Sequence, residues 1–300
     1  MPDANTSSRP VPEIPLAGRK IRLLIDTDAG CEIDDQYAIA LAVLSPERFD
    51  IEGFVSVQWG SPDTLDRTVR EIETVLEKAG MAGKYPVRRG SDPIQYIDFP
   101  EESEGVDFII ERAMAGDAEN PLFVVGLGAA TNIACAYMKE PQIADRVIVV
   151  WHGRSRWPVS CFNANAWMDI KAVRNIYKSD LPLVLFDTGT YIRWPIEVSE
   201  EKIRPHGPLG EYLHGIRASA PHFRSPTKGF FDLGDVAFLV DPSLAEWEIT
   251  AAPSVRPADN SYDFSRTHGS MMRVYHVSRD GTFELLHRAL ARAFPASDQG

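Results

Sequence analysis

The sequence predicts an α/β protein built on an open, mostly parallel sheet with crossover helices, and three observations carry that expectation. From Lys20 onward, short apolar runs rich in Val, Ile and Leu alternate with longer stretches of helical period, the pattern of strands buried on both faces and joined by helices. Nearly every apolar run ends in Asp, Gly or a polar loop, so polar side chains should gather along the carboxyl edge of the sheet, where open α/β sheets bind ligands. The 300 residues are 44% hydrophobic and 25% charged, which excludes a disordered or fibrous chain.

The elements follow in order. Residues 21–26 form an apolar run that stops at Asp26, the first expected strand. A helix is expected over 34–44, because the acidic pair Asp34-Asp35 suits a helix N-terminus. A second strand over 51–57 precedes helices at 64–79 and 106–115, whose apolar residues recur at helical spacing. Strands at 122–126, 146–151 and 183–187 then alternate with helices at 131–140 and 167–178. The last third is broken by Pro205, Pro208, Pro221 and Pro226 before an apolar helix at 232–240. Beyond it we expect a loop around 257–265, a β-like stretch at 271–277 and an amphipathic helix at 282–293. Residues 1–18 hold four prolines and almost no β-branched or aromatic content, so they are expected to be a flexible tail. Residues 19–300 are expected to form one α/β domain.

Lys plus Arg total 31 against 43 for Asp plus Glu, a net charge of -12, which repels a phosphate backbone and argues against nucleic acid as a partner. No apolar run is long enough to span a bilayer, and the N-terminus lacks the regions of a signal peptide; no membrane partner is expected. Three scattered cysteines, Cys31, Cys135 and Cys161, build neither a disulfide framework nor a thiolate metal cage, and point to a reducing cytoplasm.

The densest chemical signal is residues 23–35, Leu-Leu-Ile-Asp-Thr-Asp-Ala-Gly-Cys-Glu-Ile-Asp-Asp, an apolar strand running into five carboxylates and then a helix. Helix capping and a solvated acidic face would account for some of them. The alternative is a hard-cation site. Like charges this close repel unless a cation or proton is shared, and Ca²⁺ prefers several carboxylate oxygens in irregular geometry. No His or Cys cage accompanies them, which argues against zinc.

Asp26-x-Asp28, Gly30 and Asp34-Asp35 leading into Ala38-Ile39-Ala40 resemble the N-terminal calcium-binding signature of the inosine-uridine preferring nucleoside hydrolase family. Three further segments resemble that family in its order: Val124 through Thr131-Asn132-Ile133-Ala134, Asn163 through Asp169, and Phe231-Asp232 with Val236-Ala237 and Asp241-Pro242. The resemblance covers roughly residues 20–293. It implies that Asp28 is general base and metal ligand, that Asp35 is a bidentate ligand, and that the Leu127 carbonyl and Asp232 complete the shell. Asp26 would support it, while Asp34 and Asn165 would hold ribose hydroxyls. The departures are two extra residues between Gly30 and Asp34, Asn163 in place of a ribose-contacting Glu, Ser61 in place of an Asn, and Phe231 where purine-active relatives carry their leaving-group acid. Relatives of this family form dimers or tetramers, so a homodimer or homotetramer is implied.

Other features compete for function. Asp187-Thr188-Gly189-Thr190 fits the aspartic protease loop, but such an enzyme needs two of them, and a strand-end turn is the better account. Asp26-Thr27-Asp28 also resembles the first motif of haloacid dehalogenase-type phosphatases, in which Asp34-Asp35 would have no role. His152 is a candidate leaving-group acid or cleft-lining residue, and Trp59, Trp151 and Trp167 are candidates to stack on a base, with core packing as the alternative for each. Cys31 has no neighbouring base and is not expected to be a nucleophile. The resemblance therefore implies a Ca²⁺-dependent hydrolase of a ribonucleoside or related N-riboside, with Asp28, Asp35, Leu127 and Asp232 at the metal and Asp34, Asn163 and Asn165 at the substrate, where His152 and Trp167 are also expected. Its rivals are a non-catalytic calcium-dependent nucleoside- or ribose-binding homologue, and a hydrolase of a modified nucleoside or other glycoside.

Overall fold

In a computed structural model describing residues 9–61, 63–188, 192–219 and 226–295, the chain runs β1 (Ile21–Thr27), α1 (Asp34–Val43), β2 (Phe49–Ser56), α2 (Thr64–Lys78), β3 (Val87–Arg88), α3 (Glu104–Met114), β4 (Leu122–Gly126) and α4 (Thr131–Lys139). It continues through β5 (Val147–Trp151), α5 (Ala164–Met168), α6 (Ile170–Lys178), β6 (Leu183–Phe186), β7 (Arg193–Pro195), α7 (Ile196–Lys202), α8 (Gly207–Ser219) and β8 (Thr227–Gly229). The last elements are α9 (Phe231–Val240), β9 (Ala245–Val255), β10 (Tyr262–Val277) and α10 (Arg279–Ala293). Eight strands form one sheet in the order β3-β2-β1-β4-β5-β6-β10-β9. Every pairing in it is parallel except β9 with β10, so the expected open, mostly parallel sheet is present.

Two apolar layers explain the continuous hydrophobic runs. Leu23 and Ile25 of β1 pack on one face with Ile39, Ile72, Leu213, Phe238 and Leu290 from α1, α2, α8, α9 and α10. Leu24, pointing the other way as strand alternation requires, packs with Phe108, Ile133 and Ile176 from α3, α4 and α6. A strand covered on both sides has no polar face, which is why β1, β4 and β5 are buried throughout. Both α1 and α9 are almost entirely buried, so neither shows an amphipathic stripe.

Besides β3, β7, β8, α7 and α8, for which no element was expected, the structure departs from the expected elements in four places. The helix expected over 167–178 is broken at Asp169, whose φ of -154° is extended; its carboxylate caps α6 through Ala172 N–H at 3.0 Å and accepts from Thr131 Oγ1 and Ile94 N–H, both at 2.9 Å. The loop expected around 257–265 ends inside β10, which begins at Tyr262, and β9 beside it was not expected. Pro208 does not interrupt a helix but sits in the first turn of α8, where a missing N–H costs nothing. Residues 9–18, expected within a flexible tail, are anchored at Arg9: its guanidinium is 2% exposed and donates to the carbonyls of Ser179 and Ile176. Residues 1–8, Gly189, Thr190 and Pro221 lie outside the described residues.

Candidate active site

The strand order reverses between β1 and β4: the chain builds β2 and β3 outward on one side of β1 and returns to lay β4 on the other. Loops leaving these two strands diverge and open a crevice at their carboxyl ends. A cleft of about 380 Å³ lies there, lined by Asp28, Asp34, Asp35, Leu127, His152 and Asp232 among others. β1 delivers Asp28, and the turn after it needs Gly30, whose φ of +96° is in the left-handed region. α1 delivers Asp34 and Asp35 from its first turn, and α9 delivers Asp232 from its own. Two helix N-termini thus point at one place, and their dipoles favour negative charge.

Carboxylate oxygens of Asp34, Asp35 and Asp232 lie within 4.8 Å of one another. Burial, and then the charge of Asp34, pushes the Asp35 carboxyl up to about 7, against the hydrogen bond it receives from Thr27 Oγ1. Burial also raises Asp28 and Asp232 well above the ordinary carboxylate range, with neighbouring carboxylates adding to it. Asp26, one residue deeper, is pushed up to about 8 by burial, and Asn132 opposes this by donating to its Oδ1 at 2.8 Å. Asn132 Nδ2 also donates to the Ser56 carbonyl at 3.1 Å, tying β1, β2 and α4 behind the cleft.

Asn165, which lines the cleft, donates from Nδ2 to the carbonyls of Leu127 (2.7 Å) and His152 (3.0 Å), which spends both amide hydrogens. His152 Nδ1 is 2.8 Å from Asp235 Oδ2 and 3.8 Å from Asp232 Oδ1. Burial works against its imidazolium, but Asp235 more than offsets this and its pKa is raised. Asp34 is more committed than a free ribose ligand: Phe231 N–H donates to it at 2.9 Å, and Lys228 Nζ lies 3.1 Å from its other oxygen.

Other expected site residues are placed differently. Asn163 lines the cleft but caps α5, accepting from Ala166 N–H at 2.9 Å. Trp167 does not line this cleft; it is 64% exposed and borders a shallow hollow with Gln58, Ser61 and Asp92. Trp151 is fully buried and donates to the Gly128 carbonyl, and Trp59 donates to Thr68 Oγ1, so neither is a stacking platform here. Burial and the surrounding carboxylates raise the Cys31 thiol, against any role as a nucleophile. Asp187 accepts from Ser155 and Arg273, a strand-end anchor and not half of a carboxylate pair.

Four residues in or beside the cleft carried no expectation. Lys228, from β8, is 4% exposed and bonds Glu32 and Asp34. Arg154 and Arg156, on the loop after β5, line the opening. Asp235 could have been anticipated from its place one helical turn after Asp232; Lys228 had no such signal.

The donor set fits a hard divalent cation. Buried carboxylates are held together although burial, and then mutual repulsion, raises the pKa values of Asp35 and Asp232, and oxygen donors without thiolate or imidazole ligands suit Ca²⁺ or Mg²⁺ rather than a softer metal.

Fold and site together define a cleft enzyme whose acidic machinery stands at the switch point of an α/β sheet. The profile of the inosine-uridine preferring nucleoside hydrolases matches residues 23–273. The chain is 25% identical over 254 residues to a non-specific ribonucleoside hydrolase of Salmonella agona, covering 75% of this chain and 80% of that protein. Its fold is similar to a purine-preferring ribonucleoside hydrolase from Gardnerella vaginalis (TM-score 0.72, 20% identity, 91% of this chain and 98% of that one). It is also similar to an inosine-uridine preferring nucleoside hydrolase from Bacillus anthracis (TM-score 0.67, 16% identity, 91% and 99%). This chain belongs to the inosine-uridine preferring nucleoside hydrolase family, and is an N-ribosyl hydrolase.

One backbone position shows how tightly Asp28 is set. A Cβ on Gly128 would lie 2.9 Å from Asp28 Cγ and 3.0 Å from its Oδ1. Gly128→Ala should therefore displace that carboxylate and lower kcat by on the order of 10- to 100-fold without unfolding the protein, measured by turnover beside a melting curve. Unchanged turnover would mean that the position of Asp28 is not critical.

Proposed function

We propose that the protein is a calcium-dependent hydrolase that cleaves the N-glycosidic bond of a ribonucleoside or related N-riboside to ribose and free base. The observation that carries this is the convergence of Asp28, Asp34, Asp35 and Asp232 with His152 on one cleft in a chain of this family. Asp28, Asp35, Asp232 and the Leu127 carbonyl would hold the ion, with Asp34 beside them; when bound it supplies Lewis-acid polarisation of a water and of sugar hydroxyls. Asp28, its carboxyl raised by burial and by the charges of Asp35 and Asp34, accepts the proton of the attacking water. The Asn165 carbonyl oxygen, Asp34 and the Asn163 backbone segment orient the ribose, and Asp26 stiffens the strand end through Asn132. On the departing-base side, Phe231 offers no proton, and the His152–Asp235 pair is the titratable group beside it. Three cysteines that stay free support action in a reducing cytoplasm, in the nucleobase salvage that relatives' substrates suggest, as a homodimer or homotetramer.

The test is release of reducing sugar from inosine and uridine with Ca²⁺ and with chelator. Sugar release that depends on Ca²⁺ is expected; saturable nucleoside binding without release would instead make this a binding protein. Metal should also raise the melting temperature, because a ligand held only by the folded state stabilises it, by about 2.7 kcal/mol at a hundredfold excess over Kd. The sign of the pH effect is a further check. In metal-free protein Asp35 titrates near 7 when folded against 3.8 in its ordinary environment, so between those values the folded state holds more protons and stability falls as pH rises. The Ca²⁺-induced rise in melting temperature should therefore widen from about pH 5 to about pH 7. Identical curves with and without metal across that range would remove the metal from the proposal.

A further inference from the structure

We propose that Arg154 and Arg156 form an anion-recognition wall, so that the preferred substrate is an N-riboside carrying a carboxylate or phosphate rather than a neutral nucleoside; this rests on the hydrolase reading above and names its substrate class. Both arginines line the cleft that holds the acidic cluster. Among the described residues neither makes an ion pair, in a chain where acidic side chains outnumber basic ones 43 to 31. Arg273, by contrast, is engaged by Asp187 and Glu248, and Arg22 by Glu52. Both side chains are exposed, so their guanidinium groups are open to an anion that enters the cleft.

The two side chains hang from a loop that is tied down. Ser155, between them, is held by two hydrogen bonds: its N–H and Oγ both donate to Asp187 Oδ1, at 2.7 and 2.8 Å, and Arg273 holds the other oxygen of that carboxylate at 2.9 Å. Arg156 pairs through its backbone with Ser160, which bridges in turn to Ser261. The Arg154 guanidinium lies 4.9 Å from the centroid of the Phe231 ring, a contact that orients its planar fork beside the cleft. That fork matches the two oxygens of a carboxylate or phosphate. Asp28, Asp34, Asp35 and Asp232, which line the same cleft, repel an anion from their own part of it. A neutral sugar at the carboxylates and an anionic group at the arginines is the one orientation in which both sides are satisfied.

The two sources of the anion, a carboxylate on the base and a phosphate on the sugar, are separated by comparing kcat/KM for uridine, uridine 6-carboxylate and uridine 5′-monophosphate on the Ca²⁺-loaded protein at low salt. One anionic substrate should exceed uridine by about tenfold or more, as a charge-assisted bidentate contact allows. That ratio should fall toward unity in the Arg154→Gln/Arg156→Gln double variant, shrink with added NaCl, and be partly kept by Arg154→Lys. Calorimetric binding of free uracil 6-carboxylate and of ribose 5-phosphate to wild type and double variant gives a readout that needs no turnover. Uridine hydrolysed as fast as both anionic substrates, or a preference that survives in the double variant, overturns the inference and leaves the hydrolase intact. Anion binding that the double variant loses, without hydrolysis of any riboside, overturns the hydrolase and supports the anion wall. Neither hydrolysis nor anion binding overturns both.

Discussion

Asp28→Asn should lower kcat on the order of 10²- to 10⁴-fold while changing the affinity for substrate far less. The substitution keeps the shape of the side chain that lies close against Gly128, and removes its capacity to accept a proton together with one negative charge beside the expected metal. A group that acts on the attacking water acts in the transition state, so its loss appears in kcat and in kcat/KM together. Asn165→Ala makes the contrast: its amide braces the Leu127 and His152 carbonyls, so its loss should raise KM as well as lower kcat. The metal must be saturating in both cases, since Asp28 also stands among the residues expected to hold it. Near-normal turnover by Asp28→Asn at saturating Ca²⁺ would remove Asp28 as the base.

The part of this site that was legible in the sequence is the part built from short range. Asp26, Asp28, Asp34 and Asp35 fall within ten residues at the end of an apolar strand, and strand ends in a parallel sheet face the ligand edge whatever the rest of the chain does. Asp232 was legible from its motif at the head of an apolar helix. What could not be read is what depends on distant contact. Lys228 lies 194 residues from Asp34, on a three-residue strand in a stretch whose prolines suggested only irregular chain. Trp167 looked like a stacking residue because aromatic and apolar character says nothing about which way a short helix turns; the break at Asp169, fixed by three hydrogen bonds from Ile94, Thr131 and Ala172, sets that direction. β9 was missed because five of its first seven residues are exposed, which removes the burial that makes an inner strand visible. Arg154 and Arg156 carried no signal in the sequence, because only the fold brings the loop after β5 to the lining of the cleft.

Lys228→Met should destabilise the metal-free protein by about 3–5 kcal/mol, the range for removing one partner of a buried ion pair, and a large fraction of the roughly 5–15 kcal/mol that holds a domain folded. The side chain is 4% exposed and that of Asp34 is 2% exposed, with Nζ 3.1 Å from Asp34 Oδ1 and 2.5 Å from Glu32 Oε2. Burial works against the ammonium, yet Asp34 and Glu32 more than offset it and its pKa is raised. Methionine retains the length and apolar stem of lysine, so packing changes little and the loss isolates charge. Asp34 would keep its backbone donors Phe231 and Asp232 but face Asp35 and Asp232 without the neighbouring cation. A divalent ion held by the same carboxylates supplies positive charge at nearly the same place, so added Ca²⁺ should recover part of the deficit. Urea unfolding of wild type and variant, each with chelator and with Ca²⁺, measures both effects: the midpoint should fall with an unchanged m-value, and fall less when Ca²⁺ is present. An unchanged midpoint in chelator would mean that Asp34 does not need Lys228. A deficit indifferent to Ca²⁺ would mean that the ammonium and the metal serve different carboxylates.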